Sequence, residues 1–123
     1  MELVMSSLPK TWILDLDGTL VKHNGYKMDG EDSLLTGASE LLSQIMPEDM
    51  VIIVTSRKKK YQEMTECFLQ KNGIHYDHII YEAPYGERIL LNDDKPSGLK
   101  MAYAVCTERN EVERIQIQRD EIL

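Results

Sequence analysis

The chain has 123 residues, 42% of them hydrophobic, which suits one globular domain with a core and not a disordered segment. With 21 acidic against 14 basic side chains the formal net charge is −7, which argues against a general nucleic-acid binder while leaving room for a local basic patch. No apolar run is long enough to cross a membrane, and residues 1–7 lack the basic start and apolar stretch of a signal peptide.

Apolar runs alternate with helical patterns, which implies an α/β fold with a mostly parallel sheet. A first strand is expected over residues 11–16. Residues 21–36 are polar and carry Gly25 and Gly30, so they read as a loop or small flap. In a helix over 37–46, Ala38, Leu41, Leu42 and Ile45 share one face, and Pro47 lies just beyond. The β-branched run 51–54 reads as a strand buried on both faces. A second helix is expected over 57–72, with Tyr61, Met64, Phe68 and Leu69 inward and Gly73 at the left-handed C-cap position. Short strands follow at 78–81, 88–91 and 103–107. The tail, 108–123, is highly charged and fits a strand or a helix equally. One domain is expected, with its core over about 10–107. Cys67 and Cys106 have no metal-ligand spacing and read as small buried or half-buried hydrophobes in a reducing, cytoplasmic setting.

The chemistry concentrates in Trp12-Ile-Leu-Asp-Leu-Asp-Gly-Thr-Leu-Val21. Asp15 and Asp17, two residues apart at a strand's end, point to one side. Two such carboxylates repel, so a cation belongs beside them, and a hard ion such as Mg2+ takes oxygen ligands of this kind. Arg57-Lys-Lys-Lys60 places four cations at a helix start, where the helix dipole already favours anions; an anionic ligand would offset that cost. His23, His75 and His78 show no metal spacing and read as surface residues. Tyr26 and Tyr85 are candidates to line a substrate site.

The Asp15–Thr19 run resembles the first motif, hhhhDhDGT, of the haloacid dehalogenase (HAD) superfamily of phosphotransferases. Thr55, ending the second strand, and Asp93 with Asp94, after the 88–91 run, match two later motifs in order. The resemblance implies a Rossmann-like three-layer sandwich without a large cap, since neither inter-motif segment has room for one. It also implies a Mg2+-dependent phosphate monoester hydrolase. Asp15 would be the nucleophile and Asp17 the general acid and base. Asp15, Asp17, Asp93 and Asp94 would hold the metal, and Thr55, Ser56 and Arg57 would bind the phosphorylated substrate. The third-motif lysine is missing, because Ala83 stands in its place. Lys95 is the expected substitute. Arg88 does not suggest itself, because a strand over 88–93 would put it roughly 16 Å from Asp93.

An open site implies a large substrate or closure by a second copy of the chain, as a homo-oligomer. A small sugar phosphate of surface-polysaccharide synthesis is the first substrate expectation, from the likeness of the 88–96 run to small HAD proteins. A nucleic-acid partner is not expected on net charge, yet Asp93-Asp94-Lys95 resembles the Asp-Asp-Arg of polynucleotide kinase phosphatase domains. That leaves a nucleotide or polynucleotide end phosphatase as the second reading. A binding or regulatory module with weak catalysis is the third, supported by Ala83.

Overall fold

The computed structural model describes residues 1–123 as an α/β fold with parallel sheets, Rossmann-like in its strand–helix alternation. Strands β2 (Thr11–Asp15), β3 (Met50–Val54) and β4 (His78–Ile80) form a parallel sheet in the order β2-β3-β4. Between β2 and β3 lie two short helices, α1 (Gly25–Met28) and α2 (Ala38–Leu42). A 3-10 turn, Lys59–Tyr61, leads into α3 (Gln62–Lys71). Asp15 pairs in register with Val54, and Val54 with Ile80. The three strands therefore end together, and the turns after Asp15, Val54 and Ile80 share one edge.

The core packs on one face of this sheet. Leu14, Val51 and Ile53 from the strands meet Leu41 and Leu69 from the helices, with Leu16, Leu20 and Val21 below the strand end. Phe68, Leu42 and Ile45 pack against them, as the helical spacing implied. On the other face Ile13, Met50 and Ile80 stay about half exposed. Gly73 takes the left-handed conformation expected after α3, with φ +67°, and the Ile74 amide reaches back to the Leu69 carbonyl.

Three expectations are corrected. Residues 88–91 and 103–107 are not strands, and no regular element lies between Ile80 and Gln116. Ile89 and Leu91 are about nine-tenths exposed. A strand needs a neighbour for its amides and carbonyls; here the backbone bonds of this stretch go into local turns instead, such as Gly98 to Lys95 and Glu111 to Glu108. Cys67 and Cys106 are exposed rather than buried.

The third correction concerns the chain ends. The 108–123 tail is part of the folded unit. Its β5 (Gln116–Asp120) pairs in parallel with β1 (Glu2–Ser6), a strand the sequence did not suggest. Val112 and Ile115 pack against the core, and the Gln44 side chain bridges to the tail, donating to the Ile115 carbonyl and accepting from the Ile117 amide. The Asn110 amide donates to the Gly18 carbonyl, so the tail also holds the turn after Asp17. Gly18 has φ +80°, and a β-carbon there would come 3.2 Å from the Arg109 side chain.

Asp49 fixes where β2 and β3 begin. It is 6% exposed and accepts from the Lys10 and Met46 amides and from the Trp12 indole. Burial opposes its charge, but those three donors outweigh it and hold the carboxyl below its ordinary range. A depressed pKa contributes stability above the unfolded value of about 4 and loses it as pH falls through the folded one. Asp49→Ala should therefore cost about 2–3 kcal/mol at pH 7. The difference should shrink in urea titrations near pH 3, and an equal loss at both pH values would refute this account.

Candidate active site

Asp15 and Asp17 lie at the C-terminal edge of the parallel sheet, and each has acquired an arginine. Arg57 is 3% exposed. Its Nε and Nη2 donate to the two carboxylate oxygens of Asp17, at 3.0 and 2.9 Å. Nη1 and Nη2 also donate to Asp32, and Nη1 to the Thr65 hydroxyl. The guanidinium lies 3.9 Å from the centroid of the Tyr26 ring. Burial works against its charge, but the hydrogen bonds to Asp32 and Asp17 more than offset that and raise its pKa above the ordinary value.

This geometry overturns the expectation that Arg57 binds substrate. Its donors are spent on Asp17, Asp32 and Thr65. It also fixes Asp17, whose carboxylate is held face to face with the guanidinium fork. The 21–36 segment supplies Asp32 and Tyr26, so Arg57 anchors that flap to the sheet edge. The flap is closed further by bonds from Lys22 to Ser33 and from Leu35 to Leu20.

Asp15 is more accessible. Its Oδ2 accepts from the Thr19 hydroxyl at 2.8 Å, and its Oδ1 from Arg88 Nη1 at 2.9 Å. The Asp15 and Arg88 side chains are 39% and 40% exposed. An ion pair this open is worth no more than about 1 kcal/mol, so Arg88 is displaceable where Arg57 is not. Arg88 thus stands at the carboxylate that Lys95 was expected to serve. Lys95 makes only backbone bonds in the 95–99 turn and forms no ion pair. The 16 Å separation fails as an argument because it assumed a strand that does not form.

Thr55 is 1% exposed, and its hydroxyl accepts the Arg57 amide at 3.1 Å. It shapes the turn after β3 and does not face the open side. Ser56 lies half-buried beside it. Asp93 and Asp94 are exposed on the irregular stretch, and Asp94 accepts from the Met101 amide.

The side chains do not fit a divalent ion as they are arranged. No three Asp, Glu, His or Cys residues gather in a way that could hold one. Asp17 is fully engaged by Arg57 and Asp15 by Thr19 and Arg88, and Asp93 and Asp94 join them in no group of three that could hold an ion.

The sequence reading missed Thr19, Asp32 and Arg88. Thr19 sat in the quoted motif and could have been found as the hydroxyl four residues after Asp15. Asp32 carried no signal, being one acid among several in a polar loop.

No protein-family model matches the chain, and no curated protein does. Among solved structures it is similar to a chain of the Pnkp1/Rnl/Hen1 RNA repair complex, at 35% identity over 67% of this chain and 28% of that one, with a TM-score of 0.53. A chain in a second structure of the Pnkp1/Rnl/Hen1 complex gives 35% identity over 68% and 31%, with a TM-score of 0.52. The chain spans less than a third of those proteins.

Arg57→Ala should destabilise the domain by about 3–5 kcal/mol, because it strands two desolvated carboxylates. Arg57→Lys should recover only part, since an ammonium cannot serve both in fork geometry. Urea denaturation of the two variants tests this. A loss below about 1 kcal/mol for the alanine variant would mean that the pair behaves as a surface one.

Proposed function

We propose that this chain is a HAD-type phosphatase domain that removes a terminal phosphate from a nucleotide or polynucleotide. The observation that carries the reading is Asp15. It is an accessible carboxylate at the end of a parallel strand, aimed by Thr19 and faced by an exposed arginine. The likeness to chains of an RNA repair complex favours a nucleotide or polynucleotide end over the sugar phosphate that the 88–96 run suggested.

In this reading one Asp15 oxygen attacks phosphorus and the P–O bond to the substrate breaks. The departing oxygen takes a proton from water at the open edge. Water then attacks the phosphorus of the aspartyl-phosphate, releasing phosphate and restoring the carboxylate. Thr19 holds the other Asp15 oxygen and so aims the first. Arg88 turns from Asp15 to the incoming phosphoryl oxygens, which supplies the cation that Ala83 cannot. Asp17 positions the turn through Arg57 instead of giving up a proton.

Asp15→Asn should abolish phosphate release from a terminally phosphorylated oligonucleotide and leave the unfolding free energy from urea titration within about 1 kcal/mol of wild type. Retained turnover above a few per cent would refute Asp15 as nucleophile. Release from sugar phosphates at equal efficiency would refute the substrate class.

With Arg88 on Asp15 the side chains form no site for Mg2+, and in this reading the ion reaches Asp15 only by displacing Arg88. Arg88→Ala should therefore enlarge the rise in melting temperature caused by Mg2+, since only binding to the folded state raises it. No shift in either protein would remove Mg2+ from the reading.

A further inference from the structure

Beside the sheet edge lies a shallow open cleft of about 80 Å³, a surface groove too small to enclose a drug-sized molecule. It is walled by Tyr26 and Lys27 of α1, Lys58, Lys60 and Tyr61 ahead of α3, and Tyr85. Ser56 and the Arg57 side chain close its inner end. Three features set it apart. No acidic side chain lines it, in a chain with 21 of them. Its aromatic wall is ordered: Tyr26 and Tyr61 meet edge to face with centroids 4.8 Å apart. Cations sit at both rings, Lys27 at 5.5 Å from Tyr26 and Lys60 at 5.1 Å from Tyr61.

Tyr85 completes the set. It is 88% exposed, yet its turn is fixed. The Glu82 amide donates to the Arg57 carbonyl, the Ala83 amide to the Thr55 carbonyl, and the Ser56 hydroxyl to the Pro84 carbonyl. Glu82 takes φ +60°, a strained conformation for a non-glycine residue. A large aromatic ring is thus held out in water on a rigid turn, next to lysines whose charges have no acidic partner in the cleft.

Exposed aromatic faces beside unpaired cations suit a strand whose bases stack and whose phosphates are anionic. We propose that this cleft binds the single-stranded polynucleotide next to the phosphorylated end, with a base on Tyr85 and the backbone on Lys58 and Lys60. The inference rests on the end-phosphatase reading and supplies its substrate track. Arg57 joins the two places, because the same side chain walls the cleft and holds Asp17.

The test is binding, not turnover. A fluorescent single-stranded oligoribonucleotide of about six nucleotides without a terminal phosphate, a length within the usual site size, is titrated with the full chain by anisotropy. Tyr85→Ala should weaken binding by about 5- to 100-fold, and Tyr85→Phe should bind as wild type does, since stacking needs the ring and not the hydroxyl. Lys58→Ala with Lys60→Ala should reduce the salt slope by about 1.4, at about 0.7 per single-strand phosphate contact. A mononucleotide should bind more weakly than the oligomer, and the DNA oligomer comparably to the RNA. Equal affinity of wild type and Tyr85→Ala, or no gain from mononucleotide to oligomer, would overturn the proposal. Tyr85-dependent binding without any phosphatase turnover would refute the catalytic reading and leave the cleft standing. Turnover with Tyr85-indifferent binding would do the reverse.

Discussion

The whole functional edge hangs on one guanidinium. Arg57 lies between Asp17 from the turn after β2, Asp32 from the flap and Thr65 from α3, with its face on Tyr26. Only arginine can do this, because its donors form a rigid planar fork that serves two carboxylates at once. A buried ion pair of this kind adds little net stability over apolar packing, but removing one member is costly. Its value here is positional. It sets the angle of Asp17, closes the flap and forms the inner wall of the tyrosine cleft.

The two aspartates show how burial sorts cations. Two carboxylates at one strand end demand positive charge, and the structure meets that demand twice, in different ways. At Asp17 the partner is wholly desolvated, so exchanging it for a solvated ligand would leave charge stranded. At Asp15 the partner is two-fifths exposed and water screens the attraction, so exchange is nearly free. Asp15 is therefore the more available carboxylate, although both residues carry the same functional group. Thr19 keeps that freedom from becoming disorder by holding one of the two oxygens.

The parts of the fold that were legible are those with local causes. A β-branched run, an apolar helical face and a glycine after a helix each report on their own neighbourhood, and β2, β3, α3 and Gly73 follow from them. The pairing of β1 with β5 joins residues at the two ends of the chain, and no local pattern in residues 2–6 announces a partner more than a hundred positions away. Residues 88–91 mislead for the opposite reason. Ile89-Leu-Leu has the composition of a strand, yet composition cannot say whether an edge is offered. At the strand end, the demand of Asp15 and Asp17 for cations was readable, because two carboxylates two residues apart repel each other. The roles of Arg57 and Arg88 were not, because which charges neutralise which is decided by the fold.

Net charge is a coarse guide for the same reason. A value of −7 counts every side chain equally, but electrostatic influence in salt falls off over about 8 Å. Of the cations lining the cleft, the arginine is already neutralised by Asp17 and Asp32, while Lys58 and Lys60 form no ion pair and the nearby Glu82 carboxylate meets the Lys59 amide. Most of the chain's acidic side chains do not line the cleft, as in the Glu108 and Glu111 pair, where a hydrogen bond between the two side chains, and then their repulsion, raises the pKa of Glu111. An acidic exterior around a basic, aromatic cleft does not oppose a polyanion at the cleft. It would repel one from other faces, so that a weak attraction at the cleft would act as an orientation.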